Sequence, residues 1–287
     1  MLLLAALFPV SLLPERTWAY PCRALALLTA RPWFAHYRRL HAYLPPELPR
    51  QAGLSPNTFV VRQEARFLEE YVQVLRGWTW RWRPDLQVRG RSHVDAALER
   101  GAGAILWVAG FEASDLVVKM ALAESGYGVA HVSRPTHGFS ASRFGVRFLN
   151  PLKKRVEDRC LRGRIVIEGE SAVGALREAR RRLAMNQVVS ITVGDAAAAT
   201  FAVPLLGGTL AVATGPAGLA LRTGAALLPV FSHRERSGTR TVTVGAPLNA
   251  ASVETVLVRF AAALEGAVLA HPDQWTGWRT GSFSAST

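Results

Sequence analysis

The sequence has little cysteine, little lysine and no apolar run of membrane-spanning length. Its two cysteines, Cys22 and Cys160, form no spaced pair, which excludes a disulfide-stapled domain, indicates no zinc site and favours a reducing compartment. The apolar N-terminus is broken at Pro9 and Pro14, short of the ~20 residues of a spanning helix, and no basic stretch precedes it as in a signal peptide. We interpret it as a segment that dips into a membrane, with an ordinary core helix as the alternative.

Acidic side chains are also scarce. The 287 residues contain 34 basic and 21 acidic side chains, for a net charge of +13, and only three of the basic ones are lysine. Arginine holds phosphate groups through two parallel hydrogen bonds. The charge predicts an anionic partner, namely a phosphate-bearing substrate, a membrane surface or nucleic acid. A genome rich in G and C would produce the same arginine bias.

Apolar side chains are abundant, at 49% of the chain, which is ample for a core. Residues 1–85 are predicted to form a helical, membrane-associating arm, rich in aromatic and basic residues and cut into short pieces by prolines. From Ser92, which we expect to cap a helix, helices alternate with buried strands. The strands are predicted at residues 104–109, 128–133, 164–168, 188–193, 226–232 and 241–245, and the helices at 92–101, 112–125, 171–185, 215–224 and 252–270. This pattern predicts one α/β domain over residues 86–280, followed by a polar tail, 281–287.

Residues 76–83 combine three tryptophans and three arginines in eight positions. Indole rings prefer the level of the lipid headgroups, and arginine attracts anionic lipid. We therefore predict that an anchor at a membrane surface is formed by Trp78, Trp80, Trp82, Arg81 and Arg83. Nucleic-acid binding by base stacking and simple core packing of the indoles are the alternatives.

Ligands of open α/β sheets collect where a helix begins after a strand. The first such junction is residues 109–115. It resembles the corresponding junction of the late (lauroyl/myristoyl) lipid A acyltransferases, a branch of the lysophospholipid acyltransferase superfamily, in which a histidine is followed by Phe-Gly-Asn-Trp and an acidic residue. Asp115 is the acidic member here.

Five further blocks are similar to motifs of this family and keep its order over residues 90–280. Residues 133–135 resemble its Tyr-Arg-Pro, 193–195 take the place of its Pro-Asp-Gln, 201–207 resemble Val-Phe-Val-Pro-Phe-Phe-Gly, 214–231 its Thr-Gly-Pro block, and 271–278 its closing Pro-x-Gln-Trp-x-Trp. The block at 214–231 is the most specific. The resemblance implies a glycerolipid acyltransferase-like fold, with a mixed, mostly parallel central sheet flanked by helices.

The sequence departs from the family at Gly110, where the resemblance places a general-base histidine whose ring the carboxylate orients. In one hypothesis another group supplies the base. Repulsion between Glu112 and Asp115 would raise one carboxyl pKa, although the helix N-terminus opposes that shift; the other candidates are His131, His137 and His233. In a second hypothesis the acceptor is an amine, which needs less help. In a third the protein binds an acyl chain or a carrier without turnover.

Substrate contacts are predicted at strand ends and at one helix start. Arg134, Arg147 and Arg164 belong to residues 134–164, which contain nine cations and two acids and suit an anionic headgroup or an acidic acyl carrier protein. Thr214 and Gly215 begin a helix whose N–H groups suit an oxyanion or phosphate. A solvated surface and ordinary capping are the alternatives. Asp195 suits a structural role as well as a functional one, and His36 is interpreted as a surface or core histidine.

The sequence therefore predicts an acyltransferase bound peripherally to the cytoplasmic face of the inner membrane. By resemblance, the donor is a thioester of acyl carrier protein or coenzyme A. The acceptor is a lipid or an amine, which reacts through a hydroxyl or amine group. The alternative is a catalytically degenerate family member that binds acyl chains or acyl carrier protein within a biosynthetic assembly. We find no cluster at metal-ligand spacing and no nucleic-acid-binding motif, so we expect no metal, no other cofactor and no nucleic acid.

Overall fold

The computed structural model describes residues 2–31, 35, 55–80, 82–112, 114–139, 142–167, 172–193, 199–279 and 283–284. The strands in these ranges are β1 (Leu86–Arg89), β2 (Ala104–Val108), β3 (Val129–Ser133), β4 (Gly163–Val166), β5 (Val188–Thr192), β6 (Thr200–Leu205), β7 (Gly208–Ala213), β8 (Ala226–Arg234), β9 (Arg240–Val244) and β10 (Phe283–Ser284). The helices are α1 (Leu2–Leu12), α2 (Ala19–Thr29), α3 (Pro56–Trp80), α4 (Arg91–Glu99), α5 (Ser114–Glu124), α6 (Asn150–Asp158), α7 (Val173–Ala184), α8 (Gly215–Thr223) and α9 (Val253–Ala270).

A seven-stranded sheet in the order β1-β9-β8-β2-β5-β3-β4 organises the fold. The strands β8, β2, β5, β3 and β4 are parallel, whereas β9 is antiparallel to β8 and β1 is parallel to β9. The predicted α/β fold with a mixed, mostly parallel sheet is confirmed. A second, antiparallel sheet consists of β10, β7 and β6.

Strand β2 shows why the sheet is buried on both faces. All five of its residues are buried, and successive side chains of a strand point to opposite faces. Leu106 and Val108 join the core that contains side chains of α1 to α3, while Ile105 and Trp107 join the core that contains side chains of α8 and α9. The Trp107 ring stacks on Phe260 of α9 at 4.0 Å between ring centroids.

The arm is more regular than the prolines suggest. Helix α1 continues through Pro9, and residues 56–80 form a single helix of 25 residues, so the prediction of short pieces is wrong for these residues. Leu68 and Val72 of α3 share one apolar core with Leu106 and Val108 of β2. Most of the described arm is therefore packed onto one face of the sheet, while Phe59 and Val60 at the start of α3 join the other core. In the described ranges, no helix has both the length and the apolar character needed to cross a membrane.

The predicted tryptophan anchor is wrong at Trp82, which is 6% exposed. Its ring lies 6.1 Å from that of Trp18, its indole N–H donates to Glu15 at 2.7 Å, and the Arg240 guanidinium stacks on it at 4.7 Å. Trp82 is a core residue because each face and the polar edge have a partner within the protein. Trp78 is 40% exposed and Arg83 is exposed, whereas Arg81 and the Trp80 side chain lie outside what the structure describes.

Several elements have weak sequence signals. Helix α6, strand β1 and the β6–β7 hairpin were not predicted. Ser92 does not cap α4, because the helix begins one residue earlier and its N-cap is Gly90 with a φ of 76°, a conformation that favours glycine.

Candidate functional site

A pocket of about 120 Å³ lies beside the start of α5, at the junction on which the sequence analysis centred. Its walls come from α3, α5, α6 and the loop that follows β3. They consist of Phe67, Glu70, Tyr71, Gln73, Val74, Asp115, Leu116, Gly138, Phe139 and Lys153. The rings of Tyr71 and Phe139 stack at 4.5 Å. The volume is below the ~300 to 1,000 Å³ of pockets that enclose a whole small-molecule ligand, so this pocket accommodates only part of a long acyl chain.

Asp115 and Lys153 form an ion pair in the pocket wall. Lys153 Nζ lies 2.8 Å from Asp115 Oδ2. Burial alone would raise the pKa of the Asp115 carboxyl, but the charges of Lys153 and Lys119 hold it well below its usual range. Burial alone would lower the pKa of the Lys153 ammonium, but Asp115 and Glu157 raise it. Both groups are therefore charged at neutral pH, and Asp115 does not have the raised pKa expected of a carboxylate base.

A second carboxylate, Glu157 of α6, is completely buried beside this pair. Its oxygens accept hydrogen bonds from Lys119 Nζ (2.8 Å), Arg164 Nη2 (3.0 Å) and His137 Nε2 (2.9 Å). Burial opposes ionisation, but Lys119 and the hydrogen bond from His137 hold the pKa of Glu157 far below its ordinary value. Glu157 is therefore the anionic centre of a buried cluster.

The loop that carries His137 is held by one face of α6. Asn150 donates to the Thr136 carbonyl (2.9 Å) and accepts from the Phe139 N–H (2.8 Å), while Lys154 donates to the Pro135 carbonyl (2.6 Å). Any side chain at Gly138, where φ is 149°, would overlap Asn150. These contacts fix His137 between two anchored stretches of backbone.

His131 lies in the interior of the sheet and is only 2% exposed. Its Nδ1 is 2.9 Å from Ser190 Oγ, and both residues line a cavity of about 10 Å³ together with Asp115 and Lys119, which is at most the size of one water. Burial, aided by the charge of Lys119, lowers the pKa of His131 well below its usual value. His131 is a neutral core histidine that substrate cannot reach.

Asp115, His137 and Glu157 each offer a metal-ligand atom, and these atoms lie within 4.8 Å of one another. Lys153 already binds Asp115, and Lys119 already binds Glu157. Since the ammonium groups occupy the carboxylate oxygens and supply the positive charge, the cluster fits an ion-pair network rather than a divalent cation.

Glu112 belongs to a different network, which corrects its prediction as a base. Its buried carboxylate pairs with Arg66, with Arg234 at 3.2 Å and with Arg240 at 3.9 Å. Burial alone would raise its pKa, but the three arginines lower it. Glu112 lines neither cavity and holds the junction together.

Gly110 is covered by the C-terminal segment. The Thr276 N–H donates to the Gly110 carbonyl at 2.8 Å, and Phe111 forms a β-bridge with Trp275. A Cβ at position 110 would overlap the Thr276 hydroxyl. The space that an imidazole at this position would enter is thus occupied by Thr276.

The other predicted residues are dispersed. Arg134 and Arg147 are exposed and remain available to a partner. Arg164 binds Glu157 and Asp158 at 3.0 and 2.7 Å, so it belongs to the cluster, contrary to the prediction that it contacts substrate.

Thr214 and Gly215 begin α8 without a side-chain cap bond and line neither cavity. His233 bonds Glu235 at 2.9 Å and stacks on His271. His36 and Asp195 lie outside the described residues.

The sequence analysis missed Lys119, Lys153, Asn150 and Glu157, although one signal was available. The three lysines of this arginine-rich chain are Lys119, Lys153 and Lys154, and all three contact this cluster or its loop. A compact ammonium fits where a planar guanidinium does not. In a chain that otherwise uses arginine, the rare lysines therefore mark a site with room for an ammonium group but not for a guanidinium group.

Comparison with protein families shows where the chain belongs. A family model described as bacterial lipid A biosynthesis acyltransferase matches residues 1–278. The match includes the arm as well as the sheet and the C-terminal turns. Comparison with curated proteins gives no significant match.

Proposed function

The chain belongs to the bacterial lipid A biosynthesis acyltransferase family, and we propose that it transfers a fatty acyl group from a thioester to a hydroxyl or amine in the pocket beside Asp115. One observation carries the proposal: the Phe67, Tyr71 and Val74 side chains of α3 line the same pocket as a partly buried ion pair. The apolar wall suits the proximal part of an acyl chain, and the ion pair lies where a thioester would react. The block at 214–231 supports the lauroyl/myristoyl branch.

Lys153 supplies the electrophilic assistance in this proposal. An ammonium has three donors, and Asp115 takes one of them. The remaining N–H groups of this pocket-lining residue are available to the thioester carbonyl oxygen, which becomes negative during attack. Charge that is fixed before reaction is the most effective way to stabilise such an oxyanion.

The donor is proposed to be anionic, either acyl carrier protein or acyl coenzyme A. Arg134, Arg143, Arg147 and Arg155 are exposed on segments that flank the pocket residues Gly138, Phe139 and Lys153. Exposed cations near an entrance accelerate the encounter with an anionic partner.

The membrane surface is proposed to meet α2, on the cytoplasmic face of the inner membrane. Cys22 and Ala26 are buried, whereas Tyr20, Leu27 and Leu28 are 72%, 62% and 74% exposed. Arg23 and Arg31 are exposed on the same side at helical spacing. An exposed apolar stripe with arginines is typical of a helix that lies in the headgroup region.

Vesicle binding tests this surface. We expect Tyr20→Ser, Leu27→Ser and Leu28→Ser together to lower co-sedimentation with phosphatidylglycerol-containing vesicles at least about tenfold, because each large side chain contributes ~1.5 to 3 kcal/mol when buried. The control replaces Val173 and Val258, exposed apolar residues of α7 and α9, by serine. Equal binding of the two variants would refute the surface.

Thiol release tests the catalytic proposal. With dodecanoyl coenzyme A as donor, and octyl glucoside or octylamine as acceptor, the protein should release thiol and form the acylated product. Lys153→Met should lower kcat by about 10²- to 10³-fold, as expected for one oxyanion donor, whereas Arg180→Met, at an exposed cation of α7, should not. Lys153→Arg and thermal melting separate loss of charge from loss of folding.

The second candidate is binding without turnover. The glycine at position 110 and its cover by Thr276 favour it. Saturable binding of dodecanoyl coenzyme A by a protein that releases no thiol with any acceptor would establish this candidate and reject acyl transfer.

A further inference from the structure

We propose that His137 is the general base for acyl transfer to a hydroxyl, with Glu157 as the residue that positions its ring. The inference rests on the proposed function and names the group that takes the acceptor's proton. It explains how a chain with Gly110 at the expected position of the base retains an imidazole beside Asp115.

The hydrogen bonds assign the ring's roles. Glu157 is completely buried and is held in its anionic form by Lys119 and Arg164, so its oxygens only accept. His137 Nε2 therefore carries the hydrogen that it donates to Glu157 at 2.9 Å. In the neutral ring Nδ1 then has a free lone pair, and no described residue donates to it. This is the tautomer that a base needs, fixed by a carboxylate on the opposite nitrogen.

The position of the ring agrees with this role. A nitrogen of His137 lies within 4.8 Å of an Asp115 oxygen, and Asp115 lines the pocket, as do the next two residues of the loop, Gly138 and Phe139. The side chain is 16% exposed. The ring is therefore next to residues that line the pocket, and the proposal places an acceptor hydroxyl at Asp115, from which its proton reaches Nδ1 directly or through one water.

The loop is built to hold the ring. Asn150, Lys154 and Glu157 occupy one face of α6 at positions i, i+4 and i+7. They bind the backbone before His137, the backbone after it and the ring itself. Hydrogen bonds from three residues of one helix therefore fix the orientation of the loop and of the ring. A histidine on a solvated surface would not need such support.

The other candidate bases are occupied. His131 has no access from outside. Glu112 is paired with arginines, and Asp115 with Lys153. His233 stacks on His271 at the end of α9, and its Nε2 bonds Glu235.

The proposed reaction moves one proton and one acyl group. The acceptor hydroxyl gives its proton to Nδ1 of His137 while its oxygen forms a bond to the thioester carbonyl carbon, and the carbonyl oxygen becomes negative beside Lys153. As the carbonyl reforms, the carbon–sulfur bond breaks and sulfur leaves with the bonding electron pair. The thiolate takes the proton from the imidazolium, which gives the ester and the free thiol.

The test compares acceptors. With dodecanoyl coenzyme A and octyl glucoside, His137→Gln should lower kcat by about 10²- to 10⁴-fold, the usual contribution of a general base, because glutamine can still donate to Glu157 but cannot take the proton. With octylamine as acceptor the loss should be much smaller. Added imidazole should restore part of the hydroxyl acylation by His137→Ala. His93→Gln is the matched control, since His93 is a half-buried histidine with one ring hydrogen bond, to Val244.

The positioning role of Glu157 has to be tested by a measurement other than the rate, because loss of a purely structural residue would also lower the rate. Glu157→Gln removes a negative charge beside the ring, so the pH of half-maximal octyl glucoside acylation should shift downward. The remaining charged and titratable neighbours of the ring, Asp115, Lys119, Lys153, Arg164 and His131, are unchanged in this variant. Loss of rate without a shift would overturn the positioning role.

The outcomes separate the two proposals. A wild-type protein that releases no thiol with either acceptor refutes the proposed function and the role of His137 with it. An active wild type with an equally active His137→Gln refutes only the role of His137. Rescue by imidazole together with an unchanged melting temperature supports it.

Discussion

Two charged clusters, each with a buried glutamate at its centre, lie near the turn between β2 and α5, and they are built from different residues. Glu112 is surrounded by arginines, namely Arg66, Arg234 and Arg240. Asp115 and Glu157 are instead bound by Lys153, Lys119 and His137, with Arg164 at the edge.

The different cations around the two clusters show how neighbouring carboxylates acquire separate roles. Guanidinium groups are always charged and pair rigidly with carboxylates, so the Glu112 cluster is unsuited to moving a proton. Glu112 also lies outside the lining of the two cavities described above. The second cluster contains an imidazole and borders the pocket. One cluster holds the junction in place, and the other is suited to chemistry.

The largest expected effect is on stability, from Glu112→Gln. Removing one partner of a buried ion pair costs about 3 to 5 kcal/mol, because the opposite charges stay buried without compensation. Urea denaturation should show this loss. Glu178→Gln, in an exposed helical pair with Arg181 and Arg182, should leave the midpoint almost unchanged, and similar midpoints for both variants would contradict the structural role of Glu112.

Asn150→Ala should have the next largest effect. It leaves the Phe139 N–H and the Thr136 carbonyl without their partner, at a cost of about 1 to 3 kcal/mol. Acyl transfer to octyl glucoside should fall as well, since the His137 loop loses its clamp. Asn249→Ala, at an exposed position, is the control for both measurements. Full activity in Asn150→Ala would show that the clamp is unnecessary.

Gly110→Ala tests whether Thr276 fills the space beside position 110, where the family resemblance places the base. Its Cβ overlaps the Thr276 hydroxyl, so overpacking should cost about 1 to 3 kcal/mol. In a Thr276→Ala background the cost should be smaller, because the two residues are in contact. Additive losses in this double-mutant cycle would argue against the overlap. Gly110→His should likewise be tolerated only with Thr276→Ala.

The smallest predicted effect is a pH dependence from His131. Burial lowers the pKa of His131 in the folded state, so the unfolded chain takes up the proton first. The stability provided by the neutral ring is complete above pH ~6.5 and is lost as the pH falls below it toward the folded pKa.

His131→Asn keeps a polar group for Ser190 but does not titrate. Between pH 7.5 and 5.5 the wild type should lose stability that the variant does not lose. The difference in unfolding free energy between the two proteins should therefore shrink by about 1 kcal/mol, because one pKa unit corresponds to ~1.4 kcal/mol. Urea melts at the two pH values measure this change. A constant deficit would contradict the lowered pKa.

The buried strands and long helices of the α/β domain could be predicted because their periodicity is local. Continuous apolar runs such as β2, and glycines such as Gly224 at the end of α8, identify elements without reference to the rest of the chain. The short amphipathic helix α6 has a mean composition too polar to stand out, and it was missed. The tryptophans at 76–83 gave an ambiguous signal, since indoles suit both a core and a membrane surface.

Local pattern and motif order were enough to predict most strands of the larger sheet, the family resemblance and the importance of the junction after β2. Only the tertiary structure decided which charges meet. Glu112 and Asp115 lie three positions apart but face different partners, contributed by α3, β8 and β9 in one case and by α6 in the other. The pairing of side chains 38 or more residues apart depends on how the helices pack against the sheet, and no local pattern encodes it.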